Sequence, residues 1–327
     1  MVRGDSRGGL ATRVRLSIAA HHDEALAAPP PLRVLRVNGV ELHYMEAGSG
    51  NQETVVLLHG GMGDLGSWTH QVRALEEQYR VASYSRRHSH PNRNRDIRRA
   101  RFAEYVDDDL EDLLALKREL CAGPLHLIGT SYGALLALAV ALRSPHEVVS
   151  LVLAEPPLHR WACASKAGRR LFSAFLEAWG SAGEAFEAGL QRRALQLLTD
   201  AMWGRPTFDR WPADRVDAAF RNAAALAALT RSQDPFPEID RSAVAALTMP
   251  VLLVQGCHAS KLHRCVMNEL ARVTPNARRT EIASAGHASP TDNPDEFNAA
   301  VVPFLGSLSC RAQTGKQVGN ALERPRR

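Results

Sequence analysis

Two hydrophobic patterns alternate along this chain. Thr54–Leu58, Leu125–Ile128, Val148–Ala154 and Pro250–Gln255 are short, nearly unbroken apolar runs, as expected for strands buried on both faces. Between them lie stretches with apolar residues at helical spacing. These predict helices over Ser67–Tyr79, with Ser67 as N-cap, and over Phe102–Leu120, Leu262–Val273 and Pro294–Leu308. Arg80–Tyr84 and Arg279–Ala283 add two more short strands. The first ordered segment differs: Leu35, Val37, Val40, Leu42 and Tyr44 alternate about Asn38-Gly39, which predicts a hairpin. Residues 158–245 show no alternation, only helical patches rich in Ala, Leu and Arg. A strand–helix alternation with one helical block is the pattern of an α/β chain.

The stretch Pro124–Ala141 carries the chemistry. A buried strand runs into Gly129-Thr130-Ser131-Tyr132-Gly133, and strong helix formers follow from Ala134. Strand, tight turn and helix, with G-x-S-x-G at the turn, is the setting of a nucleophilic serine on a strained elbow. Glycine at 129 and 133 removes the Cβ atoms that would crowd such a turn. The Tyr132 N–H then lies at a helix N-terminus, where an oxyanion is well held.

Four landmarks in order, VVLLHGGMGD (Val55–Asp64), SYSRRHSHPN (Ser83–Asn92), LIGTSYGA (Leu127–Ala134) and AGH (Ala285–His287), give the chain a resemblance to the serine-nucleophile branch of the α/β-hydrolase superfamily. The resemblance spans about Leu32–Leu308. It implies a mostly parallel central sheet flanked by helices, with an inserted helical cap. The domain expectation is a disordered extension over 1–31, a hydrolase core over 32–157 and 246–308, a cap over 158–245, and a disordered basic tail over 309–327. It also implies a second oxyanion donor in the backbone N–H of Gly61, beside that of Tyr132, and His287 as general base. His59 reads as a histidine that braces its loop.

One part of the family pattern is missing. An acid usually follows the penultimate strand, but Gly256-Cys257-His258-Ala259-Ser260 has none, and Ala259 stands in its place. Glu155, at the end of the preceding strand, is the substitute. Certain haloalkane dehalogenases of this fold carry the acid there, and the order Ser131, Glu155, His287 fits the family. A plain strand-end role for Glu155, or a neutral helper in Ser260, are the alternatives. A serine at the elbow argues against dehalogenase or epoxide hydrolase chemistry, which needs a carboxylate nucleophile.

Composition narrows the partners. With 45% apolar and 23% charged residues in 327, the chain has an ordinary globular composition. No apolar run approaches the ~20 residues of a membrane span. The formal charge of +5 comes from the termini. Residues 1–33 hold five Arg against three acids (+2), residues 311–327 hold five Lys/Arg against one (+4), and 5 − 6 leaves −1 between them. No nucleic-acid footprint follows. Arg86–Arg101 holds seven arginines and reads as a solvated segment able to pair with the acids of Phe102–Leu120, or as an anion-attracting rim. Five scattered cysteines without C-x-x-C, and no secretory h-region, point to reduced thiols and a cytoplasmic setting. The expected function is cofactor-free and metal-free cleavage of an ester or related acyl bond in a small apolar substrate. An acyltransferase, or a ligand-binding protein without turnover, are the rival readings. Oligomeric state is not legible.

Overall fold

The computed structural model describes residues 30–49, 53–94, 100–120, 123–232 and 234–322, with 309–322 as backbone alone. The expected N-terminal extension thus lies outside the described residues, apart from its last two positions. Eight strands form one sheet: β1 (Leu32–Val37), β2 (Val40–Ala47), β3 (Thr54–Leu58), β4 (Arg80–Tyr84), β5 (Leu125–Thr130), β6 (Val148–Ala154), β7 (Val251–Gly256) and β8 (Ala277–Ile282). Their order is β1-β2-β4-β3-β5-β6-β7-β8. β1 and β2 form the expected hairpin, Val37 opposite Val40, with Asn38 and Gly39 both at positive φ. β2 runs antiparallel to β4, and every later pairing is parallel.

The unbroken apolar runs have a simple cause. Alternate residues feed two cores, one on each face of the sheet. Val55, Leu57, Ile128, Val152 and Val254 pack with Trp68, Val72 and Leu75 and with Phe297, Val301 and Phe304 of the closing helix. Val56, Leu58, Leu127, Leu151 and Leu253 pack with helices Phe102–Leu120, Tyr132–Arg143 and Lys261–Val273.

Two local expectations change. Ser67 is not the cap. Asp64 accepts from Gly66 N while the Ser67 hydroxyl answers Asp64 N, a reciprocal box that starts a 3₁₀ turn at Leu65–Trp68 before helix Thr69–Leu75. The closing helix runs Pro294–Leu322 and takes in most of the segment expected as a loose tail. That segment has no proline before position 325 to stop it. Within the arginine stretch, Arg86 pairs with Asp109 and Arg87 with Asp112 and Asp108, while residues 95–99 lie outside the described part.

Among the described residues between β6 and β7 the regular elements are helices, chiefly Lys166–Glu187, Gln191–Trp203, Ala213–Arg221 and Ala223–Thr230. Gly204, in the left-handed region, ends the second of these. Asn222 is fully buried and ties this block to the sheet, donating to Asp64 Oδ2 at 3.0 Å and accepting from His90 N at 2.8 Å. The aromatics of the block divide their work. Phe172 and Phe208 are core, whereas Phe175, Trp179, Trp203 and Trp211 also line the main cavity.

Candidate active site

Loops at the carboxyl ends of β3, β5, β6 and β8 converge on one point, as open α/β sheets favour. Ser131 follows β5 with φ +51° and ψ −121°, a strained setting for a residue with a side chain. The two glycines make it possible. A Cβ at Gly129 would lie 2.3 Å from Gly133 O, and one at Gly133 would lie 2.0 Å from Leu58 O. No side chain fits either position.

Ser131 Oγ lies 2.9 Å from His287 Nε2, and His287 Nδ1 lies 2.8 Å from Glu155 Oε2. The structure therefore brings together the three residues singled out in the sequence, from loops 132 and 156 positions away from His287. Glu155 sits at φ +46° just past β6, and its other oxygen accepts from Gly256 N at 2.9 Å. The carboxylate so joins the end of β6 to the end of β7, where the family's acid usually stands. Ser260 is engaged elsewhere: it caps helix Lys261–Val273 and its hydroxyl lies 2.8 Å from His263 Nδ1. Gly61 and Tyr132 both border the cavity beside Ser131. His59 braces its loop as expected, with Nδ1–H donating to Gly60 O at 2.8 Å and Nε2 accepting from Arg86 N at 3.1 Å.

Two buried histidines escaped the sequence reading. His263 stacks on His287 with ring centroids 4.2 Å apart and planes at 26°. His159 Nε2 in turn meets His263 Nε2 at 3.3 Å. Ser260 Oγ accepts from His263 N at 3.3 Å and also lies 2.8 Å from His263 Nδ1, which fixes that ring edge beside the helix cap. The sequence signal was the spacing Ser260-x-x-His263 at a helix start, which a cap alone also explains.

Glu155, His263 and His287 offer ligand atoms within 4.8 Å of one another. The stack argues against a shared metal. Lone pairs of stacked rings run side by side, so an ion about 2.0–2.1 Å from both nitrogens cannot lie in both ring planes. The cluster is suited to holding protons. Burial raises the Glu155 carboxyl to about 7, against the pull of His263 and the Gly256 N–H. Burial lowers His287 to about 4 and His263 to about 3, and holds His159 well below the ordinary value. His287 is thus a neutral imidazole, the form that takes a proton from a hydroxyl.

The cavity at Ser131 encloses about 570 Å³. Phe102, Phe175, Trp179, Leu226, Leu229 and Phe236 make an apolar lining, and His70, Asp214, Arg215 and Arg221 add polar groups. Trp203 backs the loop of His287: it stands edge-on to that ring at 5.4 Å, and a Cβ at Gly286 would lie 2.4 Å from its Nε1. Arg215, stacked over Trp211 at 4.2 Å, pairs with Asp292 at 2.7 Å. Asp292 also accepts from Gly286 N at 2.8 Å.

A family model for the alpha/beta hydrolase fold matches residues 53–294. The chain belongs to the α/β-hydrolase family. Among proteins similar to it is one named as a carbamate hydrolase, RutD, of Azorhizobium caulinodans, 26% identical over 82% of this chain and 96% of that protein. The uncharacterised hydrolase YraK of Bacillus subtilis is 35% identical, but over 38% of this chain and 44% of its own length. Carboxylesterase CesB of Bacillus subtilis has a similar fold, with a TM-score of 0.64 and 17% identity over 86% of this chain and 93% of that one. Family and relatives together support hydrolytic activity. Among the described residues of this α/β-hydrolase, no helix is long and apolar enough to cross a membrane.

Proposed function

We propose that this α/β-hydrolase cleaves a carboxylic ester or related acyl bond of a small, largely apolar substrate through an acyl-enzyme on Ser131. The observation that carries the reading is the unbroken hydrogen-bonded line Ser131–His287–Glu155, opening onto an aromatic-lined cavity. Ser131 Oγ attacks the carbonyl carbon while His287 Nε2 takes its proton, and the carbonyl electrons move onto oxygen. The N–H groups of Gly61 and Tyr132 receive that oxyanion. The proton on His287 then passes to the leaving alcohol as its bond to the acyl carbon breaks. Water repeats the sequence with the same base and releases the acid and Ser131. Glu155 holds the His287 Nδ1–H and steadies the imidazolium, the orienting role of a triad acid. The helices between β6 and β7 serve as a cap that supplies most of the apolar lining. The likeness to RutD adds carbamates to the acyl bonds worth testing.

The test is labelling by a fluorophosphonate probe, followed by a panel of p-nitrophenyl esters and carbamates. Wild type is expected to label and Ser131→Ala to stay unlabelled. A folded wild type that neither labels nor turns over any member of the panel overturns the reading. If such a protein is still stabilised thermally by apolar esters, the binding-protein reading takes its place.

A further inference from the structure

From the surroundings of the oxyanion loop we infer that Arg86 is a positioning residue for both proposed oxyanion donors, polarising the peptide unit that carries the Gly61 N–H and bracing the side chain of Tyr132. This inference rests on the acyl-transfer reading of Ser131.

The Gly60 carbonyl and the Gly61 N–H belong to one peptide unit. That carbonyl accepts from Gly63 N at 3.1 Å, from His59 Nδ1 at 2.8 Å and from Arg86 Nη2 at 3.4 Å. Hydrogen bonds to a carbonyl polarise the whole amide, so the N–H at its other end becomes a stronger donor. One of the three comes from a charged group in a buried setting, where its field is least screened. The same guanidinium lies over the Tyr132 ring, 4.2 Å from its centroid, and so braces the residue that carries the second donor. Arg86 also fixes the His59 tautomer, because its backbone N–H occupies His59 Nε2 and leaves Nδ1–H for Gly60 O. Burial and the Arg86 charge both keep His59 neutral, as that arrangement requires.

Stability alone is a poor reason for this arrangement. The Arg86 and Asp109 side chains are only 5% and 6% exposed, and the contact is a single 3.2 Å approach through Nη1. Arg86 Nε finds no hydrogen-bond partner among the described residues. A buried pair with an unmet donor is costly, and apolar replacements of such pairs are often neutral or stabilising. A positive charge behind an anion that forms only during reaction accounts for what packing does not.

The experiment compares Arg86→Lys, Arg86→Gln and the charge-balanced double variant Arg86→Met/Asp109→Asn with wild type. Melting temperatures check folding. The readouts are the fluorophosphonate labelling rate, kcat and KM on p-nitrophenyl butyrate, and the inhibition constant of a trifluoromethyl ketone, which forms a tetrahedral oxyanion on serine. Loss of a whole oxyanion donor costs roughly 10²–10³-fold, and a weakened pair of donors less. The expected result is a labelling rate and kcat lowered about 10- to 100-fold in the double variant and less in Lys than in Gln. KM stays within about three-fold, and the ketone loses affinity in parallel with kcat. A folded double variant with wild-type labelling and ketone affinity overturns the inference, as does a loss confined to KM. If the double variant fails to fold, the Lys and Gln variants decide by the same criteria. A folded wild type that neither labels nor turns over any member of the ester and carbamate panel removes the parent reading and this one with it. A labelled wild type with unaffected variants removes this one alone.

Discussion

The end of β5 and the ends of β6 and β7 place the residues of the Ser131–His287–Glu155 line by different rules. At the β5 elbow, backbone meets backbone. Gly129 approaches Gly133 O, and Gly133 approaches Leu58 O, closely enough to exclude any Cβ. The spacing of the motif is therefore dictated by hard contacts. At β6 and β7 the requirement is only that a carboxylate reach His287 Nδ1. Parallel strands end side by side, so either strand end can supply it, and this chain uses Glu155 with Ala259 at the other end. Positions ruled by backbone contact are rigid in sequence, whereas positions ruled by side-chain reach are interchangeable.

The largest effects should come from the hydrogen-bonded line itself. His287→Ala is expected to lower kcat by roughly 10⁶-fold, as for other residues acting as a unit with the nucleophile. Glu155→Gln should cost about 10⁴-fold and also change the pH profile. Its folded value, about 7, lies above the ordinary 4.5, while His287 lies below its ordinary 6.5 at about 4. Rising pH therefore removes the Glu155 proton while His287 is already neutral. The acid limb of kcat/KM is expected near pH 7 in wild type, and in Glu155→Gln the limb should move down toward pH 4–5. An unchanged limb in the variant would take Glu155 out of the titration. The double variant Glu155→Gln/Ala259→Asp tests interchangeability directly and should recover at least about ten-fold of the lost rate, since Ala259 stands where the family's acid usually does.

The elbow should fail differently. Gly133→Ala is expected to lose about 3 kcal/mol or more of stability, the upper range for forced overpacking, in denaturant titration. Gly61→Ala meets only Leu226 Cδ1 at 3.5 Å, so it should keep its fold and lose rate instead. The smallest effect belongs to Ser260→Ala. Loss of the cap to helix Lys261–Val273 should cost about 1 kcal/mol, read as a lower melting temperature, with kcat within about three-fold. A larger rate loss would show Ser260 acting on the base through His263.

The same two rules explain what could be read from the sequence. The hairpin at Asn38-Gly39, the buried strands, the elbow and the Ala-Gly-His loop were legible because each depends on local geometry or on burial of both faces. Glu155 was legible only through its place at a strand end. His263 and His159 were not, because nothing local distinguishes a buried histidine stack from a helix face and a turn. Arg86 was lost among the seven arginines of its stretch, since only the fold shows that it turns inward to Asp109 while Arg87 turns to Asp108 and Asp112. The start of the helix after β3 was misassigned for a similar reason: Asp64 and Ser67 both suit a cap, and their reciprocal bonding decides between them.

Trp203 divides the walls of the cavity into those free to change and one that is not. On one side, Phe175, Trp179 and Leu229 line the cavity without a direct ring contact to His287 among the described residues, so changes of size there are expected to reshape the cavity first. On the other, Trp203 fills the space beside Gly286 and stands against His287. A lineage that enlarged the pocket there would loosen the packing that holds His287. New specificities in descendants of this chain are therefore expected to arise from the side of helix Lys166–Glu187, with Trp203 left in place.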